Sequence, residues 1–125
     1  MNKVSVRYIV ANVDAAILFY TELLGFQVDA YRTRLRKLSK GNLQLLLNQP
    51  GAGGAGQATP GGQVPAPGGW NRIQIEVDDL SAAVEKLQHA GCQFRNDIVI
   101  GKGKQILVDD PSGNPGELFE PVKSS

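Results

Sequence analysis

The sequence predicts an α+β protein of two βαβββ modules, with curved, mostly antiparallel sheets and the helices outside. Three observations carry this expectation. Residues 4–48 and 71–121 follow the same plan of strand, helix, glycine and further strands. Each helix-period run starts at an Asn or Asp and stops at a Gly. Between the two, twelve of the twenty residues 50–69 are Gly or Pro and none is charged. An internal repeat constrains architecture more strongly than a single motif does. Half-domains related by approximate symmetry tend to leave a cleft between them, and clefts are where small molecules bind.

The first module, 4–48, opens on Val4, Val6, Tyr8 and Val10 alternating with Ser5, Arg7 and Ile9, the period of a strand. Asn12 can accept from the free amides of a first helical turn. Val13, Ile17, Tyr20 and Leu24 then recur at helical spacing, which predicts a helix over 13–24. Gly25 follows as its left-handed C-terminal cap. Residues 26–31, 35–39 and 43–48 read as strands, with Lys40-Gly41-Asn42 as the turn between the last two.

Residues 49–70 form a linker or flap. Gly carries a high ordering entropy and Pro lacks a donor, so neither helix nor sheet is favoured there. A passive tether and a mobile flap ending at Trp70 both fit a loop of this length. The second module, 71–122, repeats the plan. A strand over 71–77 leads to the cap Asp78-Asp79, and Leu80, Val84 and Leu87 mark a helix that ends near Ala90 before Gly91. Strands follow at 92–94, 98–100, 105–108 and 116–122, with a turn at Asp109-Asp110-Pro111-Ser112-Gly113-Asn114.

Length and composition fit a single domain over 1–125. Each half alone is too small for a comfortable core, so the halves should share a sheet or pair with a second chain. A net charge of +1 gives no electrostatic case for nucleic acid. Arg32, Arg34, Arg36, Lys37 and Lys40 alternate with other residues and read as a solvated strand face. The single cysteine, Cys92, cannot form an intrachain disulfide, which fits a reducing compartment. No apolar stretch reaches the roughly 20 residues of a membrane span. The N-terminus enters a strand with no signal-peptide core, so the expectation is a soluble cytoplasmic protein without a membrane partner.

Phe19-Tyr20-Thr21-Glu22-Leu23-Leu24-Gly25-Phe26 resembles a signature of the vicinal oxygen chelate superfamily, which includes glyoxalase I, extradiol dioxygenases and bleomycin and fosfomycin resistance proteins. Val77-Asp78-Asp79-Leu80, Asp110-Pro111-Ser112-Gly113-Asn114 and Glu117-Leu118-Phe119-Glu120-Pro121 resemble its second-half signatures. The resemblance implies four metal-ligand positions, usually His or Glu and in some members Gln. They fall here on Ser5, Gln44, Arg72 and Glu117. Catalytic metal sites need about three protein ligands with lone pairs. Arg72 offers only donors, and Ser5 is a poor ligand unless deprotonated. The only histidine, His89, reads as a surface residue near a helix end. The expectation is therefore no metal, no other cofactor and no catalytic residue of the family's kind. In place of the metal, Arg72 and Glu117 can form an ion pair, either a structural tie or a polar anchor for a ligand.

The candidate ligand-binding residues are Ser5, Arg7, Gln44, Trp70, Arg72, Glu117 and Phe119. Tyr8, Tyr31 and Phe94 are further aromatic lining candidates, while Phe19 and Tyr20 read as core. The first function expected is a metal-free binding protein of the family, sequestering an antibiotic or other planar ligand. The alternative is a divalent-metal lyase or dioxygenase of the vicinal oxygen chelate type, with Gln44 and Glu117 as surviving ligands. A third is an accessory module with no ligand. The resemblance also implies a homodimer, which would cover exposed sheet edges.

Overall fold

A computed structural model describes residues 4–32, 35–51 and 56–123. The side chains of residues 30–32 and 35 lie outside the described set, and with them the candidate Tyr31. The chain divides into two compact units, Met1–Gly68 and Gly69–Ser125.

In the first unit β1 (Val4–Ile9) is followed by α1 (Val13–Leu18), β2 (Gln27–Arg32), β3 (Leu35–Lys40) and β4 (Leu43–Asn48). The sheet order is β1-β4-β3-β2, with β1 and β4 parallel and the other pairs antiparallel. Asn12 caps α1 by accepting from the Ala15 amide at 3.0 Å. The expected regular helix to residue 24 is corrected: after Leu18 the chain widens into a π-helical turn, Phe19–Leu23. Within this turn the Thr21 hydroxyl donates to the Ile17 carbonyl at 2.7 Å, a back-bond that loosens the helical ladder. Gly25 then takes φ +78°, a left-handed stop.

Alternation decides what this sheet buries. Val10, Leu38, Leu45 and Leu47 are fully buried on the side of α1 together with Ala16. Tyr20 is buried too, and its ring meets Tyr8, Phe19 and Phe26 edge-on at 6.2, 5.0 and 5.7 Å, the geometry that aromatic quadrupoles favour. Tyr8 is thereby corrected from lining candidate to core.

The second unit contains β5 (Ile73–Glu76), α2 (Leu80–His89), β6 (Gln93–Phe94), β7 (Val99–Gly101), β8 (Gly103–Asp109) and β9 (Pro115–Glu120). Its order is β5-β9-β8-β6, with β7 also pairing with β8. β5 is shorter than expected at both ends, and β9 stops before Pro121, which has no amide to donate to a ladder. Ile73, Ile75, Ile106, Val108 and Leu118 form the buried face, covered by Leu80 and Leu87 of α2.

The N-terminus of α2 is doubly satisfied. The Asp79 side chain accepts from the Ala82 amide at 3.0 Å, and Glu120 of β9 accepts from the Leu80 amide at 2.9 Å. Helix and sheet are thus fastened by polar as well as apolar contact. Asp79→Ala should cost about 1 kcal/mol, the usual value of such a cap, measurable as a lower urea midpoint at unchanged slope. No helix of the described residues is long and apolar enough to cross a membrane.

Candidate functional site

In each unit the strand alternation that turns aliphatic residues toward the helix turns a second set of residues to the opposite face. In the second unit this set is Arg72 just before β5, Gln74 and Glu76 on β5, Glu117 and Phe119 on β9, and Gln105 and Leu107 on β8. Register makes them neighbours: Gln74 lies across from Glu117, Glu76 from Phe119, Leu107 from Glu117 and Gln105 from Phe119.

Glu117 is the centre of this face. It is only 6% exposed although it points away from the helix. The Arg72 guanidinium donates to its Oε1 through both Nε (3.0 Å) and Nη2 (2.9 Å), while the Gln74 amide donates to Oε2 at 2.5 Å. Arg72 also donates through Nη1 to the Trp70 carbonyl at 3.3 Å. Both oxygens of the buried carboxylate therefore have charged or amide donors, as a buried ion needs. Gln74 was not among the residues singled out from sequence. Its position two residues beyond Arg72, on the same side of a strand, is the signal that could have found it.

Trp70 is 67% exposed, but it is not a free aromatic at a loop end. The Arg95 guanidinium lies 4.5 Å from its ring centroid. Arg95 also donates from Nε to Asp109 at 2.7 Å, from Nη1 to the Gly69 carbonyl at 2.6 Å and from Nη2 to the Gly113 carbonyl at 2.9 Å. One guanidinium thus ties the turn after β8 to the start of the unit and backs the indole. Phe119 is half-buried, beside Glu117 on the strand alternation.

In the first unit Ser5 and Gln44 are direct cross-strand partners, and the Ser5 hydroxyl donates to Gln44 Oε1 at 3.0 Å. Arg7, on the same side of β1, donates to Asn48 Oδ1. The sequence candidates therefore fall into two separate groups, Ser5, Gln44 and Arg7 with Asn48 in one unit and Trp70, Arg72, Glu117 and Phe119 in the other. His89 is exposed on α2, where Glu85 lies 3.8 Å away. Cys92 is half-buried, and burial raises its thiol above the ordinary range, away from nucleophilic use.

The donor set does not fit the divalent metal of the resembling enzymes. Arg72 brings a fixed positive charge to the buried Glu117 carboxylate and occupies its Oε1 twice. Among the described residues no group of three or more His, Cys, Asp or Glu side chains is gathered to hold a metal ion.

A βαβββ unit and a second unit of the same plan with one extra short strand, β7, each with one face on its helix and the other bearing polar side chains, define a glyoxalase- or resistance-protein-like scaffold. The chain belongs to the glyoxalase/bleomycin resistance protein/dioxygenase superfamily, whose model matches residues 4–118. Solved structures show the same fold. TnmS3, an antibiotic binding protein from a Streptomyces species, is 22% identical over 98% of this chain and 97% of its own, with a TM-score of 0.73. A superfamily member from Sphaerobacter thermophilus is 22% identical over 96% and 97%, with a TM-score of 0.75. A lactoylglutathione lyase from Agrobacterium tumefaciens is 19% identical over 95% and 92%, with a TM-score of 0.72. At these identities the likeness concerns the fold alone. No curated relative matches the chain.

Proposed function

We propose that this protein binds a small planar molecule on the polar faces of its sheets, without a metal and without a chemical step, and that it does so as a homodimer in the cytoplasm. The observation that carries the reading is the state of Glu117. The only family ligand position here that bears a carboxylate has both oxygens engaged by Arg72 and Gln74. A divalent cation would have to expel a guanidinium to reach it. What remains is a polar anchor beside a half-buried aromatic ring, Phe119, which suits recognition better than Lewis-acid catalysis. The antibiotic-binding activity named for TnmS3 shows that this scaffold accommodates such a role in another protein. The dimer follows from the family resemblance, and the compartment from the single cysteine.

The test is a thermal-shift screen of planar natural products and drugs, run beside elemental analysis of protein incubated with nickel, zinc, iron or manganese salts. A ligand specific for the folded state raises the melting temperature by linkage, about 2.7 kcal/mol at a hundredfold excess over Kd. We expect such a compound, no stoichiometric metal, and a light-scattering mass of twice 13.4 kDa. Stoichiometric uptake of any of these metals, with turnover of a glyoxalase or dioxygenase substrate, overturns the reading.

A further inference from the structure

The site-bearing face of the second sheet continues past Glu117 into a cavity. The β7–β8 hairpin turns through Gly101-Lys102-Gly103, and with β9 it forms an open-sided hollow of about 130 Å³ lined by Val99, Gly101, Lys102, Gly103, Gln105 and Phe119. Gln105 is the cross-strand partner of both Val99 and Phe119, so these three residues form a row across three strands. Gly103 has φ +100°, and a Cβ there would stand 2.8 Å from the Phe119 ring and 2.7 Å from the Glu120 carbonyl. The hairpin can close on the aromatic ring only because this position has no side chain.

The chemistry of the lining is selective. It offers one aromatic ring, one aliphatic wall, one amide and one ammonium, and no carboxylate. Among the described residues neither the Lys102 ammonium nor the Gln105 side chain has a hydrogen-bond or ion-pair partner. A cavity of roughly 150 Å³ admits benzene, so a single six-membered ring is the size that fits. A cationic ligand would meet a like charge, whereas an anionic oxygen would gain a charge-assisted bond from Lys102.

We infer that the ligand of this face carries a monocyclic aromatic anion of the benzoate type. Its ring lies on Phe119 against Val99, and its charged oxygen meets Lys102 with Gln105 as a second donor. The inference rests on the small-molecule binding reading above and narrows the ligand's chemistry.

Benzoate is the probe, benzamide its neutral isostere, and backbone amide chemical shifts of the full chain the readout. Benzoate should shift residues 99–105 and 119 saturably. Benzamide should bind about fivefold more weakly, the scale of a partly exposed ion pair. Lys102→Ala, at an exposed turn position, should bring benzoate down to the benzamide level without lowering the melting temperature. Added salt should weaken benzoate alone. Equal affinities for the two probes, indifference to Lys102→Ala, or no shifts in the hairpin would overturn the inference. If benzoate fails while a compound from the thermal screen shifts Arg72 and Glu117, only the anionic-ring inference falls. If no compound perturbs this face, the binding function falls with it.

Discussion

Replacing Arg95 by Ala should destabilise the second unit by about 3 kcal/mol. The side chain is 16% exposed and its partner Asp109 is 23% exposed, so the pair is largely withdrawn from water. Removing the guanidinium leaves Asp109 without its partner and takes donors from the Gly69 and Gly113 carbonyls. The cost of unsatisfied groups, not the worth of the contacts, sets the magnitude. For a domain of this size the melting temperature should fall by on the order of 10 °C. Arg95→Lys should restore only a minor part, because one ammonium on a flexible stem cannot serve three acceptors held in a guanidinium's plane. Trp70 supplies an independent readout, being the only tryptophan. With Arg95 present its ring is backed at 4.5 Å, and without it the fluorescence anisotropy of the folded variant should decay faster. An unchanged anisotropy decay together with a loss below about 1 kcal/mol would show that the four contacts of Arg95 are not maintained in solution.

The difference between what was and was not legible in the chain follows the range of the interactions. The caps Asn12 and Asp79 bond amides three residues away, so their chemistry is visible locally. Strand alternation around Val6–Val10 and Ile73–Ile75 is equally local, and it gave the repeat and both buried faces. The π-helical turn at Phe19–Leu23 was not legible, because the pattern of apolar residues is nearly the same for a slightly wider helix. Within the candidate site, the Arg72–Glu117 pair could be anticipated because the family signatures locate both positions. The Arg95 cluster could not, since its partners lie 26, 18 and 14 residues away and no motif announces them. Trp70 stands out in the chain as its single tryptophan, but its guanidinium backing exists only once β8 and its following turn are folded. Gln74 was not legible although it shares a strand face with Arg72, because it falls on none of the four positions that the family signatures locate. Its role emerges from the register that sets it across from Glu117.

The second large effect concerns Arg72 and Glu117, and its sign is more informative than its size. Arg72→Ala leaves a carboxylate that is 8% exposed with only the Gln74 amide as donor. We expect a loss of about 2 kcal/mol, below the full penalty of an orphaned buried charge because Gln74 remains and the Arg72 site admits water. Glu117→Leu should cost less, about 1 kcal/mol, since the Arg72 side chain is 32% exposed and its charge can turn to solvent. The double variant Arg72→Ala with Glu117→Leu should be more stable than Arg72→Ala alone. No charge is then left buried, and two apolar side chains join Phe119 on the same face. A double-mutant cycle by urea denaturation measures this coupling. A double variant that loses the sum of the two single changes would mean that Arg72 and Glu117 act independently, and that the contact between them does not stabilise this face. A cycle with strong coupling, in a protein whose ligand affinity also collapses on Glu117→Leu, would make one ion pair both the tie of the β5–β9 edge and the anchor for what binds there.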